Sequence, residues 1–269
     1  MSRMQGVATG FVKEVDTSLA RVRVSMPTID DNMESDWASV ASPLAGKKRG
    51  ALFMPEIGDE VLVAFGDGRF DAPYVVGYLW NGDQVSPEST SRHRVIVTPG
   101  GHQLRFEDKD PDKPLDGARI ILKSDGGHSI TLEDKEPKKL EIKSTAHTIL
   151  LDDTQGASKI SISAGDGAVT IDMETTPPSV TIANGIGTLK LDTSGVTIEA
   201  PASVTINAPG TLSINCTAAT LSAATVTLDA GVLSVNSGIA TFAGVVQCSA
   251  LITNAVVSST YTPGIGNLL

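Results

Sequence analysis

The chain has 269 residues, of which 41% are hydrophobic, 19% charged and 4% aromatic, and its formal net charge is −10. Disordered chains are rich in charge and poor in apolar residues, so this composition excludes a largely disordered protein. The acidic balance argues against nucleic acid as a partner, because phosphate is bound by clustered lysine and arginine.

Targeting signals and cysteines narrow the class of protein further. Met1–Gly10 does not have the basic-then-apolar pattern of a signal peptide, and the chain has no apolar run of about 18 residues that would span a membrane as a helix. We therefore expect synthesis in the cytoplasm without a cleaved signal. Cys216 and Cys248 are too few for a disulfide framework or a zinc site, and we expect both to be small apolar core residues.

The first third of the chain predicts a small all-β domain. Nine of the eleven aromatic residues lie at or before Phe106, so this part can fill an ordinary core. Turn residues separate apolar stretches that predict six strands, at Val7–Val15, Leu19–Ser25, Ala38–Ala41, Ala51–Met54, Glu60–Phe65 and Tyr74–Trp80. Five or six short strands in about 80 residues fit a closed barrel such as the OB-fold.

A repeat that begins with a small residue and a histidine follows the barrel. Its three copies end in an acidic pair and are separated by charged insertions at Lys109–Asp116 and Lys135–Lys139, which we expect to be exposed loops; the copies are Gly101–Asp108, Gly127–Asp134 and Ala146–Asp153. Repeated histidine and carboxylate could indicate metal binding or acid–base chemistry. A catalytic site occurs once, however, so we interpret His102, His128 and His147 as making a structural hydrogen bond at each strand start.

A shorter apolar-x-apolar repeat fills the second half, usually with Thr or Ser in the middle. From Val196 onward its steps are 8, 8, 7, 7, 7 and 7 residues, which leaves room for one short strand and one corner. Lys190 is the last basic residue of the chain. A β-rich segment with so little charge aggregates unless its strand edges are paired.

Closing a barrel, winding a solenoid or intertwining with copies of the chain would each pair those edges. A coiled coil is excluded, because the segment is rich in Thr, Val, Gly and Asn and poor in Glu and Lys. A single-chain β-helix stays possible. Three intertwined copies are favoured, because the side chains are too small to fill a broad one-chain solenoid.

Several blocks of the barrel resemble a known family. Gly6–Gly10, Ala20–Pro27, Asp36–Val40, Gly50–Phe65 and Pro73–Gly77 are similar to the N-terminal OB domain of phage baseplate assembly protein V and of the VgrG spike proteins of type VI secretion. The Pro-Glu-x-Gly-Asp-Glu-Val block is the most specific part. The histidine repeats also resemble the barrel-to-needle region of those spikes.

The resemblance implies an all-β fold, with an OB-fold barrel followed by an intertwined trimeric β-helix, or β-prism needle. The implied domains are an OB-fold domain at 1–84, a linker at 85–100, barrel-to-needle repeats at 101–159, a triple-stranded needle at 160–257 and a tip segment at 258–269. The implied function is that of a membrane-puncturing central spike in a contractile injection machine. The protein would be a homotrimer assembled into the baseplate of a phage-tail-like particle and delivered to a target cell envelope.

The resemblance also suggests partners and contact residues. No hub domain precedes the barrel, so a separate hub protein is expected, and Lys47, Lys48 and Arg49 are candidate contacts for it. No His-x-His closes the chain, so a separate PAAR-like tip protein is implied, with candidate docking residues Tyr261, Pro263, Ile265, Leu268 and Leu269. We expect no enzyme activity, no cofactor and no catalytic or metal-binding residues. The alternatives are a trimeric receptor-binding tail fibre and an OB-fold module that binds oligonucleotides or oligosaccharides.

Overall fold

The structure, a computed structural model, describes residues 6–112 and 117–258. Its N-terminal part is a closed barrel in which the strand order is β1-β2-β3-β7-β6. A two-stranded hairpin, β4–β5, and a 3₁₀ turn at Gly66–Gly68 complete this part. The strands are β1 Val7–Asp16, β2 Arg21–Ser25, β3 Ala38–Val40, β4 Ala45–Gly46, β5 Arg49–Gly50, β6 Glu60–Phe65 and β7 Pro73–Tyr78.

The barrel encloses the buried apolar core of the described residues. Alternate residues of each strand point inward, and the core consists of Val12, Val22, Val24, Met26, Ala38, Val61, Val63, Phe65 and Val75. The closest approach of two strands requires a glycine in β1. A Cβ at Gly10 would lie 2.4 Å from the carbonyl oxygen of Ser25 in β2. The predicted OB-fold barrel is confirmed.

One predicted barrel strand is wrong. Ala51–Met54 is irregular, and the short hairpin β4–β5 precedes it. Ala51 donates its N–H to the carbonyl of Leu44 at 2.9 Å, but beyond this bond no described strand pairs with the segment. Leu52 and Phe53 are consequently exposed.

A second sheet contains eleven antiparallel strands, each paired with its neighbours in sequence. The strands are β8 His93–Val97, β9 Gln103–Glu107, β10 Arg119–Lys123, β11 Ser129–Glu133, β12 Lys139–Lys143, β13 His147–Asp152, β14 Lys159–Ala164, β15 Val169–Thr175, β16 Pro178–Ala183, β17 Thr188–Asp192 and β18 Gly195–Glu199. Short turns with glycines at positive φ, such as Gly101 (84°) and Gly127 (86°), reverse the chain and so enforce antiparallel neighbours.

Between 160 and 199 the strands pair with their neighbours in sequence, from β14 to β18. The expected pairing of this region with other copies stays a prediction. Strands β10 and β12 lie between the histidine repeats, and β12 takes up the last residue of the Lys135–Lys139 insertion. The expected linker at 85–100 likewise contains β8. The repeating unit is therefore a two-stranded hairpin rather than one strand.

The described residues from 200 to 258 contain no strand, and all are exposed. Residues 207–258 belong to a unit separate from the barrel and the long sheet. Cys216 and Cys248 are exposed, so they are not core residues of the single chain. The candidate tip residues, from Tyr261 onward, lie outside the described residues. No helix in the described ranges is long and apolar enough to cross a membrane.

Candidate functional site

The long sheet has one continuous apolar face. Because side chains alternate along a strand, the register places every second residue of each strand on this face. One row has Ile or Leu at every position: Ile96, Leu104, Leu122, Ile130, Ile142, Ile149, Ile162, Ile171, Ile182, Leu189 and Ile198. A second row on the same face contains Phe106, Ile120, Leu132, Leu140, Leu151, Ile160, Met173, Val180, Leu191 and Val196.

This apolar face is uncovered in the single chain. Leu122 exposes 52% of its surface and Leu191 exposes 49%, and the described residues place no second layer over them. Eleven strands about 4.8 Å apart make each row about 50 Å long. The exposed apolar surface is on the order of 1,000 Å², whereas the largest patch on a monomeric protein is about 300–600 Å². Such a face marks a surface for assembly.

The opposite face is polar and carries a row of alternating charge. From β9 to β15 the register aligns Glu107, Arg119, Glu133, Lys139, Asp152, Lys159 and Glu174. Arg119 Nε lies 3.3 Å from Glu133 Oε1, and Lys139 Nζ lies 3.2 Å from Asp152 Oδ2. The Thr154 hydroxyl and Lys139 hold the pKa of Asp152 below its ordinary value. Opposite charges on neighbouring strands stabilise a sheet, so this face can remain in water without a covering layer.

The repeated histidines occupy equivalent hairpin turns. The backbone N–H of His102, His128 and His147 donates at 3.1 Å to the hydroxyl of Thr98, Ser124 and Ser144, respectively. The imidazole Nδ1 of His102 and that of His147 also accept a backbone N–H at 3.3 Å, from Asp125 and Gly165 respectively. The structural role of the repeated histidine side chain stays a prediction. Within residues 6–112 and 117–258, no group of three His, Cys, Asp or Glu side chains is placed to hold a metal ion.

The basic segment Lys47–Arg49 lies at the tip of hairpin β4–β5. Strands β3 and β7 run parallel, so they finish at the same end of the barrel, which the chain leaves toward β8. The hairpin follows β3 and is therefore at this sheet-side end. The role of the tip as a hub contact stays a prediction.

An apolar cleft of about 1120 Å³ opens beside this hairpin. Leu52, Phe53 and Trp80 line it from the barrel side, and Ile96 of β8 lines it from the sheet. Trp80 is 68% exposed. Since Ile96 also begins the all-aliphatic row, the cleft is continuous with the apolar sheet face.

The sequence interpretation missed two strands of the apolar sheet face and one residue of the junction between barrel and sheet. Strand β10 has three consecutive apolar residues, Ile120 to Leu122, so it lacks a clean two-residue alternation. Strand β12, Lys139–Lys143, alternates clearly, and its pattern could have revealed the hairpin repeat. Glu88, described below, has partners 5 and 17 residues away that no local pattern signals.

Comparisons with known proteins support the interpretation of the N-terminal barrel as an OB-fold domain. Residues 8–80 match the family described as the type VI secretion system/phage-baseplate injector OB domain. The chain is 38% identical over 89 residues to the type VI secretion system spike protein VgrG5 of Pseudomonas aeruginosa, which covers 30% of this chain and 11% of that protein. It is 28% identical over 101 residues to the spike protein of Escherichia phage P2, which covers 38% of this chain and 46% of that protein.

A third relative is the type VI secretion system spike protein VgrG3 of Vibrio cholerae, 29% identical over 104 residues. This match covers 34% of the chain and 10% of that protein. The chain thus spans less than half the length of each of these relatives. The barrel is similar to injector OB domains, and the resemblance to VgrG-type spike proteins is confirmed.

Proposed function

We propose that the protein is the central spike of a contractile injection machine of the phage-tail or type VI kind, and that it perforates a target envelope mechanically. The match of the barrel to injector OB domains supports the machine, and the relatives are named as spike proteins. The observation that carries the proposal is the apolar sheet face, about 50 Å long, that a single chain leaves uncovered. The proposed action is mechanical rather than enzymatic.

Three copies would cover that face. Each sheet would turn its two aliphatic rows toward a common axis and its charged rows toward water, giving a three-sided prism. Ile96 belongs both to the apolar cleft and to the all-aliphatic row. The contact between copies would therefore extend from the sheet face to the barrel. A cyclic arrangement of this kind closes on itself, because rotation about the common axis brings the apolar face of every copy against those of the other two.

The segment from 200 to 258 would continue the prism as an intertwined needle. Its apolar-x-apolar units recur every seven or eight residues, and all of its described residues are exposed in the single chain. Strands of three copies wound about one axis would pair with one another. Because only Asp229 is charged in this range, the needle would carry little charge into a lipid layer.

The remaining partners follow from the same role. We propose that the trimer is seated on a separate baseplate hub, which Lys47–Arg49 contact, and that residues 258–269 dock a PAAR-like tip protein. The assembled particle would meet the target cell envelope with the needle end. Because this basic tip lies at the sheet-side end of the barrel, the hub would have to extend to that end and face it with an acidic surface.

Two variants in neighbouring positions of β13 test the trimer. Ile149 belongs to the apolar face, whereas Thr148 belongs to the polar face and pairs with Lys143. We expect Ile149→Asp to give monomers in native mass spectrometry and Thr148→Asp to remain trimeric. A trimeric Ile149→Asp protein, or a wild-type protein that is a soluble monomer, would refute the proposed assembly.

A further inference from the structure

The junction between barrel and sheet is held at both ends by side chains. On the barrel side, the carboxamide of Asn81 donates to Glu60 Oε2 at 3.0 Å, and that of Gln84 donates to Asp59 Oδ1 at 3.1 Å. The carbonyl oxygen of the Asn81 side chain also accepts the backbone N–H of Gln84 at 2.8 Å, which closes a tight turn. Residues 81–84 are thereby fixed to the start of β6.

Glu88 holds the sheet side of the junction. Its carboxylate accepts the backbone N–H groups of Ser89 and Thr90, both at 2.9 Å. Its second oxygen lies 3.0 Å from His93 Nδ1 at the start of β8 and is bonded by the Arg105 guanidinium of β9. The side chain is only 13% exposed. One carboxylate therefore joins the linker to the first two strands of the sheet.

The bond to Arg105 continues across the sheet. Arg105 Nε donates to Glu107 at 2.7 Å, and Arg119 of β10 lies between Glu107 (3.7 Å) and Glu133 (3.3 Å). The ion pairs thus connect Glu88 with β9, β10 and β11. A load on the linker would be shared by several strands instead of acting on β8 alone.

We propose that Asn81, Gln84 and Glu88 form a rigid coupling that makes the barrel and the sheet one mechanical body. Only Val85–Pro87 lies between the two anchored ends, and this stretch contains a proline, which restricts the backbone. The purpose given to this coupling rests on the proposed spike function, because a spike with a flexible joint would bend under axial force. Its existence, however, is a property of the purified protein and can be measured without any injection assay.

Glu88→Gln distinguishes the bonds that the carboxylate makes within the linker from those that it makes to the strands β8 and β9. The amide oxygen of glutamine can still accept the N–H groups of Ser89 and Thr90, but its NH₂ group would face the guanidinium of Arg105, which can only donate. The matched control is Glu141→Gln, which lies in the same register row as Arg105, three strands further along the sheet.

Hydrogen exchange of the full-length protein gives the first readout. We expect the amides from 89 to 93 to exchange at least about tenfold faster in Glu88→Gln than in wild type, with the barrel core unchanged. Glu141→Gln should leave the junction at the wild-type rate. Arg105→Gln should reproduce the effect, and the double variant should add little to either single one, because the two residues act through one contact.

The distance between spin labels on the barrel and the sheet gives the second readout. Labels at Asp67→Cys and Thr148→Cys, in a background without Cys216 and Cys248, should show a narrow distribution that broadens with Glu88→Gln. Unchanged exchange and an unchanged width in Glu88→Gln would overturn the coupling. A loosened junction with undiminished puncturing would instead support the coupling and contradict its role in the proposed function.

Discussion

Replacing Ile149 by aspartate is the sharpest perturbation of the apolar face. Ile149 is 38% exposed in the single chain and lies between Ile142 and Ile162 in the all-aliphatic row. If three copies cover this row, the variant places three carboxylates in an apolar core. Burying an unpaired charge costs several kcal/mol per ion after relaxation.

The expected effect on assembly is correspondingly large. With about 3 kcal/mol per chain, the trimer loses about 9 kcal/mol, which weakens its association by about six orders of magnitude. The Thr148→Asp control lies on the solvent-facing side beside Lys143, where surface substitutions change stability by about 0.5 kcal/mol or less. Sedimentation at micromolar concentration distinguishes the two outcomes.

The opposite pattern would refute the reasoning. If Thr148→Asp dissociated the protein and Ile149→Asp did not, the charged face would be the buried one. The barrel serves as an internal control, because its core is separate from the sheet rows and its melting should be similar in both variants.

Three further predictions concern the barrel, its hairpin and the junction. Met26→Ala removes a fully buried core side chain and should lower the free energy of unfolding of the barrel by about 2–5 kcal/mol, measured by denaturant titration; a loss below about 1 kcal/mol would contradict the assigned core. Reversing the charges of Lys47–Arg49 to glutamate should abolish hub binding in a pull-down while leaving the trimer intact, and retained binding would place the contact elsewhere. The bonds from Thr90 N–H and His93 lower the pKa of Glu88 from 4.5 to about 2, so its contribution is complete above pH 4.5 and lost as the pH falls toward 2. The protection factors of the junction amides, that is, their exchange corrected for the intrinsic pH dependence, should fall over that interval in wild type but not in Glu88→Gln.

Local patterns predicted the barrel well. The strand Glu60–Phe65 has the predicted bounds, because its apolar alternation is flanked by Gly58 and Gly66. Ala51–Met54 has equal β propensity but is not a strand, because pairing depends on a neighbour that propensity does not supply.

The sheet shows which information a single sequence lacks. The apolar-x-apolar units identified β15–β18 as strands but did not determine their partners. Turns such as Gly165–Ala168 reverse the chain, so each strand lies beside its neighbour in sequence. Beyond Glu199 the described residues have no such partner within the chain, although the unit Val204–Ile206 repeats the same pattern.

The candidate site was only partly accessible for the same reason. Its aliphatic rows become visible once the register is known, since Leu104 and Leu122 are neighbours across strands although 18 positions apart. The Glu88 coupling combines a linker residue with Arg105, and nothing in the local sequence of either residue signals the contact.

A cryo-electron microscopy reconstruction of the purified full-length protein tests the assembly most directly. The expected result is a threefold particle in which Ile142, Ile149 and Ile162 of every copy face the axis and the charged row faces solvent. A well-ordered single chain, or a particle with those isoleucines on its outer surface, would contradict the account.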